Sequence, residues 1–286
     1  MSSQNSSPDS SAGVRTVEAP DAVQARKYPR QEDLALALRI ADTADKISIS
    51  RYLSLDLVVT TKPDNTPVTD ADRATETAIR ELLHAERPHD GLVGEEFGGT
   101  PESESKNSDN PFSRYWVIDP IDGTKNFMRG VPTWATLIAL VENGEVVVGV
   151  ASAPALKRRW FASQGAGSFV TFDEGSPRKI SVSHVADIEH ASITYSDFHG
   201  WDARLPAFTS LLEKSWRTRG LGDFWSHMLV AEGAADIAAE PTLALWDMAA
   251  LDIIVREAGG TFTSVTGEPG PHHGSAVSTN GLLMNK

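Results

Sequence analysis

One stretch constrains this chain more than any other: Tyr115-Trp116-Val117-Ile118-Asp119-Pro120-Ile121-Asp122-Gly123-Thr124-Lys125-Asn126-Phe127. Tyr115 to Ile118 is short and apolar, the mark of a buried strand, and it delivers Asp119 at its carboxyl end. Pro120 cannot donate to a sheet ladder and forces a turn. Asp122 follows three residues after Asp119, so the two carboxylates converge if the turn continues helically. Gly123 lets backbone approach a ligand, and the N–H groups of Gly123 and Thr124 can open a helix aimed at an anion. Carboxylates beside an anion site make sense when cations sit between them. Hard oxygen ligands suggest Mg²⁺ rather than zinc.

Composition narrows the alternatives. The chain of 286 residues contains no cysteine, which removes disulfide scaffolds, thiolate zinc sites and cysteine nucleophiles together. Its formal charge of −13 is the wrong sign for wrapping nucleic acid. No apolar run approaches the ~20 residues of a membrane span. At ~150 residues per domain the length suggests one or two domains. Residues 1–28 are rich in Ser, Pro, Asp and Ala without a continuous apolar stretch, which reads as a disordered tail rather than a signal peptide.

Beyond the tail, Leu34, Ala37, Leu38 and Ala41 recur at helical spacing, predicting a helix from Gln31 to about Tyr52. A short strand at Leu57 to Thr60 and a polar break from Lys62 to Pro67 follow. A second helix opens at Thr69 or Asp70, with Ala71, Ala74, Ala78, Ile79 and Leu82 as its buried face. From Gly91 the texture changes to short strands. Gly91 to Gly94 leads into Glu95-Glu96, and a polar loop spans Gly98 to Ser113. After the central string, Ala135–Val141 and Val146–Ala151 flank Asn143-Gly144, the signal for a hairpin. Further strands are expected at Arg159–Ser163, Ser168–Thr171 and Ile180–Ser183. After Ser183, strands at Ala191–Tyr195, Trp216, Asp236–Ala239 and Thr261–Ser264 alternate with helices at Leu205–Leu212, Gly222–Gly233 and Asp247–Ala258. That alternation implies an α/β layer. The expected organisation is an α+β metal-binding half at 29–183 and an α/β substrate half at 184–286.

Other acidic residues stand where they could join Asp119 and Asp122. Glu95-Glu96 ends a strand, as Asp119 does. Asp247 precedes a strong helix and reads as its N-cap, with one carboxylate oxygen to spare. Asp70-Ala71-Asp72 needs one acid for a cap and leaves the other for base chemistry. His272-His273 in a Pro/Gly loop reads as solvated, Arg158-Arg159 around Trp160 as a strand-edge charge pair, and Trp134 as core. No Ser-His-Asp arrangement and no Walker loop is readable.

Three blocks carry a resemblance: Gly94-Glu95-Glu96; Trp116 to Phe127; and Trp246-Asp247-Met248-Ala249-Ala250 through Glu257-Ala258-Gly259-Gly260. In this order they resemble the inositol monophosphatase superfamily of Mg²⁺-dependent, Li⁺-sensitive phosphomonoesterases. Lys125, the run Arg129-Gly130-Val131-Pro132-Thr133-Trp134, and Gly222-Asp223-Phe224 are similar to the histidinol-phosphate phosphatase branch known from actinobacteria. The resemblance implies a layered α-β-α-β-α sandwich, an α/β (α+β) fold. It implies a cytoplasmic homodimer acting on a small phosphate ester, with two or three Mg²⁺ per site, Mn²⁺ as a possible substitute and Li⁺ as an inhibitor. It makes Glu95, Asp119, the Ile121 carbonyl, Asp122 and Asp247 metal ligands, and Asp72 the acid for a further metal or water. Thr124 would help Asp72 activate the nucleophile, with Glu95 also in the catalytic set. Gly123, Thr124, Asp223, Glu240 and Asp247 would meet the substrate.

The inositol-hydrolysing members carry a small or hydroxyl residue at the position of Asp223. An acid there, with Glu240, gives a negative rim suited to the ammonium and imidazole of histidinol phosphate. Simple capping of the helix near Gly222 is the other role open to Asp223. An inositol-1-phosphate or broad-specificity sugar-phosphate phosphatase is the alternative within the class. A non-catalytic metal-binding regulator is the alternative outside it.

Overall fold

A computed structural model of the protein describes residues 30–63, 65–99, 114–173 and 175–284. The tail expected at 1–28, and all but the first two residues of the loop expected at 98–113, lie outside the described residues.

Helix α1, Gln31–Arg51, buries Leu34, Leu36, Ala37, Ile40, Ala41 and Ala44, while Leu38 is half-buried. Strands β1, Val59–Thr61, and β2, Pro67–Thr69, form a small antiparallel ribbon. Helix α2, Asp70–Glu86, is capped by Thr69, whose Oγ1 accepts from the N–H of Ala71 at 3.1 Å. Asp72 closes the capping box by accepting from the Thr69 N–H at 2.8 Å. The buried face of α2 departs from the expected one. It carries Ala71, Asp72, Thr75, Glu76, Ile79 and Leu83; Ala74 is exposed, and Ala78 and Leu82 are half-buried. The reason is that Glu76 is satisfied inside. It accepts from the N–H of Glu96 at 2.7 Å and Phe97 at 3.3 Å, and it pairs with Arg80.

Strand β3, Gly91–Gly94, runs parallel to β4, Arg114–Asp122. Helix α3, Thr124–Met128, is one turn long. Strands β5, Ala135–Glu142, and β6, Glu145–Ala153, form the expected hairpin, with Asn143 at φ 52° and Gly144 at φ 82°. Strands β7, Arg158–Ser163, β8, Gly167–Phe172, and β9, Arg178–Ile180, complete a seven-stranded sheet in the order β3 to β9. Strand β7 is interior, so Arg158 and Arg159 are not at a sheet edge as the sequence suggested. Both are ion-paired, Arg158 with Glu232 and Arg159 with Asp42 and Asp45.

The rest of the chain contributes β10, Ser192–Tyr195, α4, Leu205–Lys214, β11, Arg217–Gly220, α5, Asp223–Ala231, β12, Ile237–Glu240, α6, Leu245–Glu257, β13, Thr261–Thr263, and β14, Ala276–Thr279. These strands form a second sheet in the order β11-β10-β12-β14-β13. Strand β14, unexpected from the sequence, pairs antiparallel with both β12 and β13.

The layers follow from which side chains share a core. Leu36, Ile40 and Ile79 of α1 and α2 pack on Trp116, Ile138 and Val148 of the first sheet. Val117, Leu137 and Trp160 point to the opposite face, where Ile253 and Ile254 of α6 and Phe224 and Met228 of α5 meet them. The same middle layer covers Ala238 and Phe262 of the second sheet. Helix α4 closes the far side, with Phe208 beside Ala239 and Leu211 beside Ile193 and Ile237. The stack is α-β-α-β-α, as expected.

Gly149 is where α6 sits closest on the first sheet. An added Cβ there would lie 2.5 Å from Ile253 Cγ2 and 2.7 Å from the Ala250 carbonyl oxygen. Gly149→Val is expected to destabilise the fold by about 1–3 kcal/mol through overpacking. A urea titration reads this as a lowered midpoint; an unchanged midpoint would mean that α6 packs elsewhere.

Candidate active site

The carboxyl end of β4 is shaped by pairing with β5. Asp119 stands opposite Leu137 and Asp122 opposite Ala135, with a register shift between them. A bulge, not the helical turn expected from the spacing, therefore brings the two acids together. The Ile121 N–H donates to Asp119 Oδ1 at 3.0 Å, and Thr136 Oγ1 donates to the Pro120 carbonyl at 2.8 Å, which pin the bulge from both sides. Gly123 then turns the chain at φ 82°. A Cβ there would lie 3.0 Å from the Thr133 carbonyl and 3.2 Å from Asp223 Oδ2, so glycine answers both the conformation and the space.

Asp247 arrives from α6. It is not the N-cap: the helix starts at Leu245, and Asp247 Oδ2 reaches back to accept from the Ala244 N–H at 2.7 Å. Its carboxylate joins Asp119 and Asp122, and one oxygen from each lies within 4.8 Å of the others. Among the described residues no Lys, Arg or His pairs with any of the three. Burial and mutual repulsion push their pKa values up. Asp119 is raised well above the carboxylate range by burial and by Glu95, Asp122 and Asp247, and Asp122 by burial, Asp223 and Asp247. Burial takes Asp247 to about 7. Buried, crowded hard-oxygen donors with no protein cation among them fit a hard divalent metal.

Glu95 follows β3 and stands near enough to Asp119 to raise its pKa. Its carboxylate accepts from Lys62 Nζ at 2.7 Å, and the same ammonium meets Glu96 at 2.6 Å. Burial would lower Lys62, but the two glutamates hold its pKa above the ordinary lysine value. Burial takes Glu96 to about 7 despite Lys62. No motif points to Lys62, which lies in what reads as a polar break.

Asp72 lies at the start of α2, close enough to Glu95 for that carboxylate to raise its pKa. Its Oδ1 accepts from Thr124 Oγ1 at 3.1 Å, and that hydroxyl is also 3.1 Å from the Ile121 carbonyl oxygen. Burial raises Asp72, against the lowering by its bonds to Thr69. The geometry thus brings Asp72 and Thr124 together beside the Ile121 carbonyl, with Thr69 bonded to the other oxygen of Asp72.

The opposite wall belongs to the second half of the chain. Gly222 precedes α5, and Asp223 at φ 50° is its first residue, so Asp223 does not cap the helix. Its Oδ2 instead accepts from Asn126 Nδ2 at 2.9 Å. The Phe224 N–H donates to Asp122 Oδ2 at 2.8 Å, which ties α5 to the carboxylate cluster. Glu240, buried at the end of β12, accepts from Ser196 Oγ at 2.6 Å. Burial takes Asp223 to about 6, with Lys125 lowering it and Asp197 raising it. Burial takes Glu240 to about 7. Asn126 stands in the central string without a role assigned to it, and Ser196 and Asp197 carried no recognisable motif. Their roles become visible because the fold brings the end of β10 and α3 to the same cleft.

Asp122, Gly123, Thr124, Asp223, Glu240 and Asp247 line one cleft of about 580 Å³. Trp134 is not part of it: it is buried against Phe127 and Tyr52. His272 and His273 are exposed, as expected. No helix among the described residues is long and apolar enough to cross a membrane.

Residues 30–286 match the family model for the inositol monophosphatase family. A histidinol-phosphatase of Mycobacterium tuberculosis is 55% identical over 257 residues, covering 89% of this chain and 96% of the relative. A histidinol-phosphatase of Streptomyces coelicolor is 51% identical over 263 residues, covering 89% and 95%. Among solved structures, the extragenic suppressor protein suhB from Bartonella henselae superposes with a TM-score of 0.78 at 27% identity, covering 88% of this chain and 95% of that one.

Proposed function

The chain belongs to the inositol monophosphatase family and is a phosphatase, and from that premise we propose that it hydrolyses L-histidinol phosphate to L-histidinol and phosphate with the help of Mg²⁺. Glu95, Asp119, the Ile121 carbonyl, Asp122 and Asp247 are the donors for the metal, with Asp72 beside them; Mn²⁺ is an alternative occupant and Li⁺ an inhibitor. When bound, the divalent cation neutralises the phosphate dianion, acidifies water and stabilises the leaving alkoxide.

The chain's own residues supply position and proton transfer. Thr124 Oγ1 donates to Asp72 Oδ1 and keeps its lone pairs for a water in the cleft. The water gives its proton to Thr124 Oγ1 as Thr124 gives its own to Asp72. The raised affinity of Asp72 for a proton, caused by burial, suits it to that role. The water oxygen bonds to phosphorus, the bond from phosphorus to the alcohol oxygen breaks, the leaving alkoxide takes a proton from a second water in the cleft, and Asp72 returns its proton to solvent. Backbone N–H groups at Gly123 and Thr124 face the phosphate oxygens, so little covalent work is left to the protein.

The acidic wall carries the choice of substrate. Asp223, Glu240 and Asp197 line the same cleft as Asp122 and Thr124, and the alcohol portion of the ester is assigned to these three acids. L-histidinol phosphate presents an ammonium and an imidazole there. Inositol phosphate presents only hydroxyls, which gain little from a negative field. A cytoplasmic homodimer acting on this small ester is the expected context.

Asp223→Asn is expected to raise KM for L-histidinol phosphate roughly tenfold or more, the value of a hydrogen bond to a charged group, and to change KM for inositol 1-phosphate far less. Steady-state kinetics on both esters test this. Equal turnover of the two by the unaltered chain would favour a broad-specificity phosphatase.

A further inference from the structure

His227 lies in α5 one turn beyond Asp223, on the same side of the helix. It is only 1% exposed, yet it forms part of the cleft lining. Its Nδ1 is 2.6 Å from Ser278 Oγ. Among the described residues its Nε2 has no hydrogen-bond partner. A buried polar atom without a partner is uncommon and calls for one.

Strand register gives its depth. Ser278 pairs with Ala238 across β14 and β12, and Ala276 pairs with Glu240. Ala238, Glu240 and Ser278 therefore share one face of the second sheet, and Ser278 lies about 6.6 Å along the strands from the level of Glu240. One helical turn, about 5.4 Å, separates Asp223 from His227. Asp223 and Glu240 form an upper tier, and His227 with Ser278 forms a lower one. Beside these two, the buried Thr194, paired with Ala238, spends its hydroxyl on the Ser226 and Ile237 carbonyls. Phe224 and Leu251 line the cleft with His227, and the Phe262 ring lies 5.6 Å from the His227 ring. Burial lowers the pKa of His227 to about 4, so its ring is neutral at neutral pH.

We propose that His227 is a specificity-determining residue whose Nε2 hydrogen-bonds the imidazole of L-histidinol phosphate, while Asp223 and Glu240 take the ammonium. This rests on the histidinol phosphate reading. In that ester the amine is on the carbon next to the one that carries the phosphate oxygen, and the ring follows through a methylene. The order ammonium, then ring, matches the two tiers. A neutral imidazole has a donor at one nitrogen and an acceptor at the other, so it can pair with His227 in either tautomer that Ser278 selects. An apolar floor with one hydrogen-bonding atom is a suitable seat for a heteroaromatic ring.

The test uses the full chain with Mg²⁺ and two esters, L-histidinol phosphate and O-phosphoethanolamine, which has the ammonium but no ring. His227→Asn keeps a polar atom near the Nδ1 position and loses Nε2. It is expected to raise KM for L-histidinol phosphate relative to O-phosphoethanolamine roughly tenfold. His227→Gln places an amide near the Nε2 position and is expected to hold that ratio within about threefold of the unaltered chain. Equal rises for both esters, or no rise for L-histidinol phosphate, would overturn the assignment. A direct reading needs no variant that might misfold. The nitrogen resonance of His227 Nε2 in isotope-labelled protein should shift on addition of L-histidinol and not of ethanolamine; an unmoved resonance overturns the proposal. Turnover of L-histidinol phosphate by the unaltered chain with an unmoved ratio would remove this role and leave the function standing. No turnover by the unaltered chain would overturn both.

Discussion

Asp122→Asn is expected to lower kcat for L-histidinol phosphate roughly a hundredfold to a thousandfold, and at the same time to make the metal-free protein more stable. The two effects have one cause. Asp122 stands with Asp119 and Asp247 in a buried cluster whose ligand oxygens lie within 4.8 Å of one another. In the absence of a cation these carboxylates repel each other, which is why burial and neighbouring charges raise their pKa values. Asparagine has nearly the same shape. Its carbonyl oxygen can still accept from the Phe224 N–H, as Asp122 Oδ2 does at 2.8 Å. Its NH₂ group then faces the remaining carboxylates and relieves the repulsion. The charge that should hold the metal is gone, and with it most of the catalysis. Phosphate release and a thermal melt of the metal-free variant measure the two effects together. Activity within a few-fold of the unaltered chain, or a metal-free melt that falls, would show that Asp122 has a structural role only.

Saturating Mg²⁺ is expected to raise the melting temperature substantially. A ligand at a hundredfold excess over its dissociation constant stabilises a folded protein by about 2.7 kcal/mol, which is roughly 5–10 °C for a chain of this class. The size of the effect should depend on pH, with a sign that follows from the carboxylates. Asp119, Asp122 and Asp247 have higher pKa values folded than unfolded, so between those values the folded chain holds more protons. The metal-free protein therefore loses stability as pH rises from the ordinary carboxylate range toward about 7, the value for Asp247. Glu240 and Asp223 add to the same trend, at about 7 and about 6. Mg²⁺ competes with protons for the cluster, so its stabilisation should grow over the same window. Melts with and without Mg²⁺ across that range test this. A melting temperature indifferent to Mg²⁺ at neutral pH would count against a metal site at these residues.

Much of the fold was legible because its signals are local. The alternation around Asn143-Gly144, the apolar run before Asp119 and the strand-helix alternation after Ser183 each depend on near neighbours, and each appears where expected. What was missed depends on distant parts of the chain. The bulge that brings Asp119 and Asp122 together is set by their pairing with Leu137 and Ala135. Glu76 is buried on α2 because the backbone of Glu96 and Phe97 arrives to satisfy it. Strand β14 follows a loop rich in Gly, Pro and His, and its short run acquires meaning only between β12 and β13. The same division holds in the cleft. Asp119, Asp122, Gly123 and Thr124 belong to one contiguous string, so spacing alone could group them. Lys62, Ser196, Asp197 and His227 have no motif of their own. Ser196 and Asp197 enter the cleft just after β10 and His227 from the second turn of α5, while Lys62 reaches Glu95 and Glu96 from between β1 and β2.

The central claim is that this cleft hydrolyses an amino-alcohol phosphate and that the acid cluster makes it possible. Phosphate release from L-histidinol phosphate, inositol 1-phosphate, fructose 1,6-bisphosphate and 3′-phosphoadenosine 5′-phosphate, each with and without Mg²⁺, tests it most directly. Turnover of L-histidinol phosphate far above the other three, lost when Mg²⁺ is removed, is the predicted result. A flat Mg²⁺-dependent profile would contradict the role given to the acidic wall. Release from none of the four would contradict the catalytic reading itself and leave a metal-binding protein in its place.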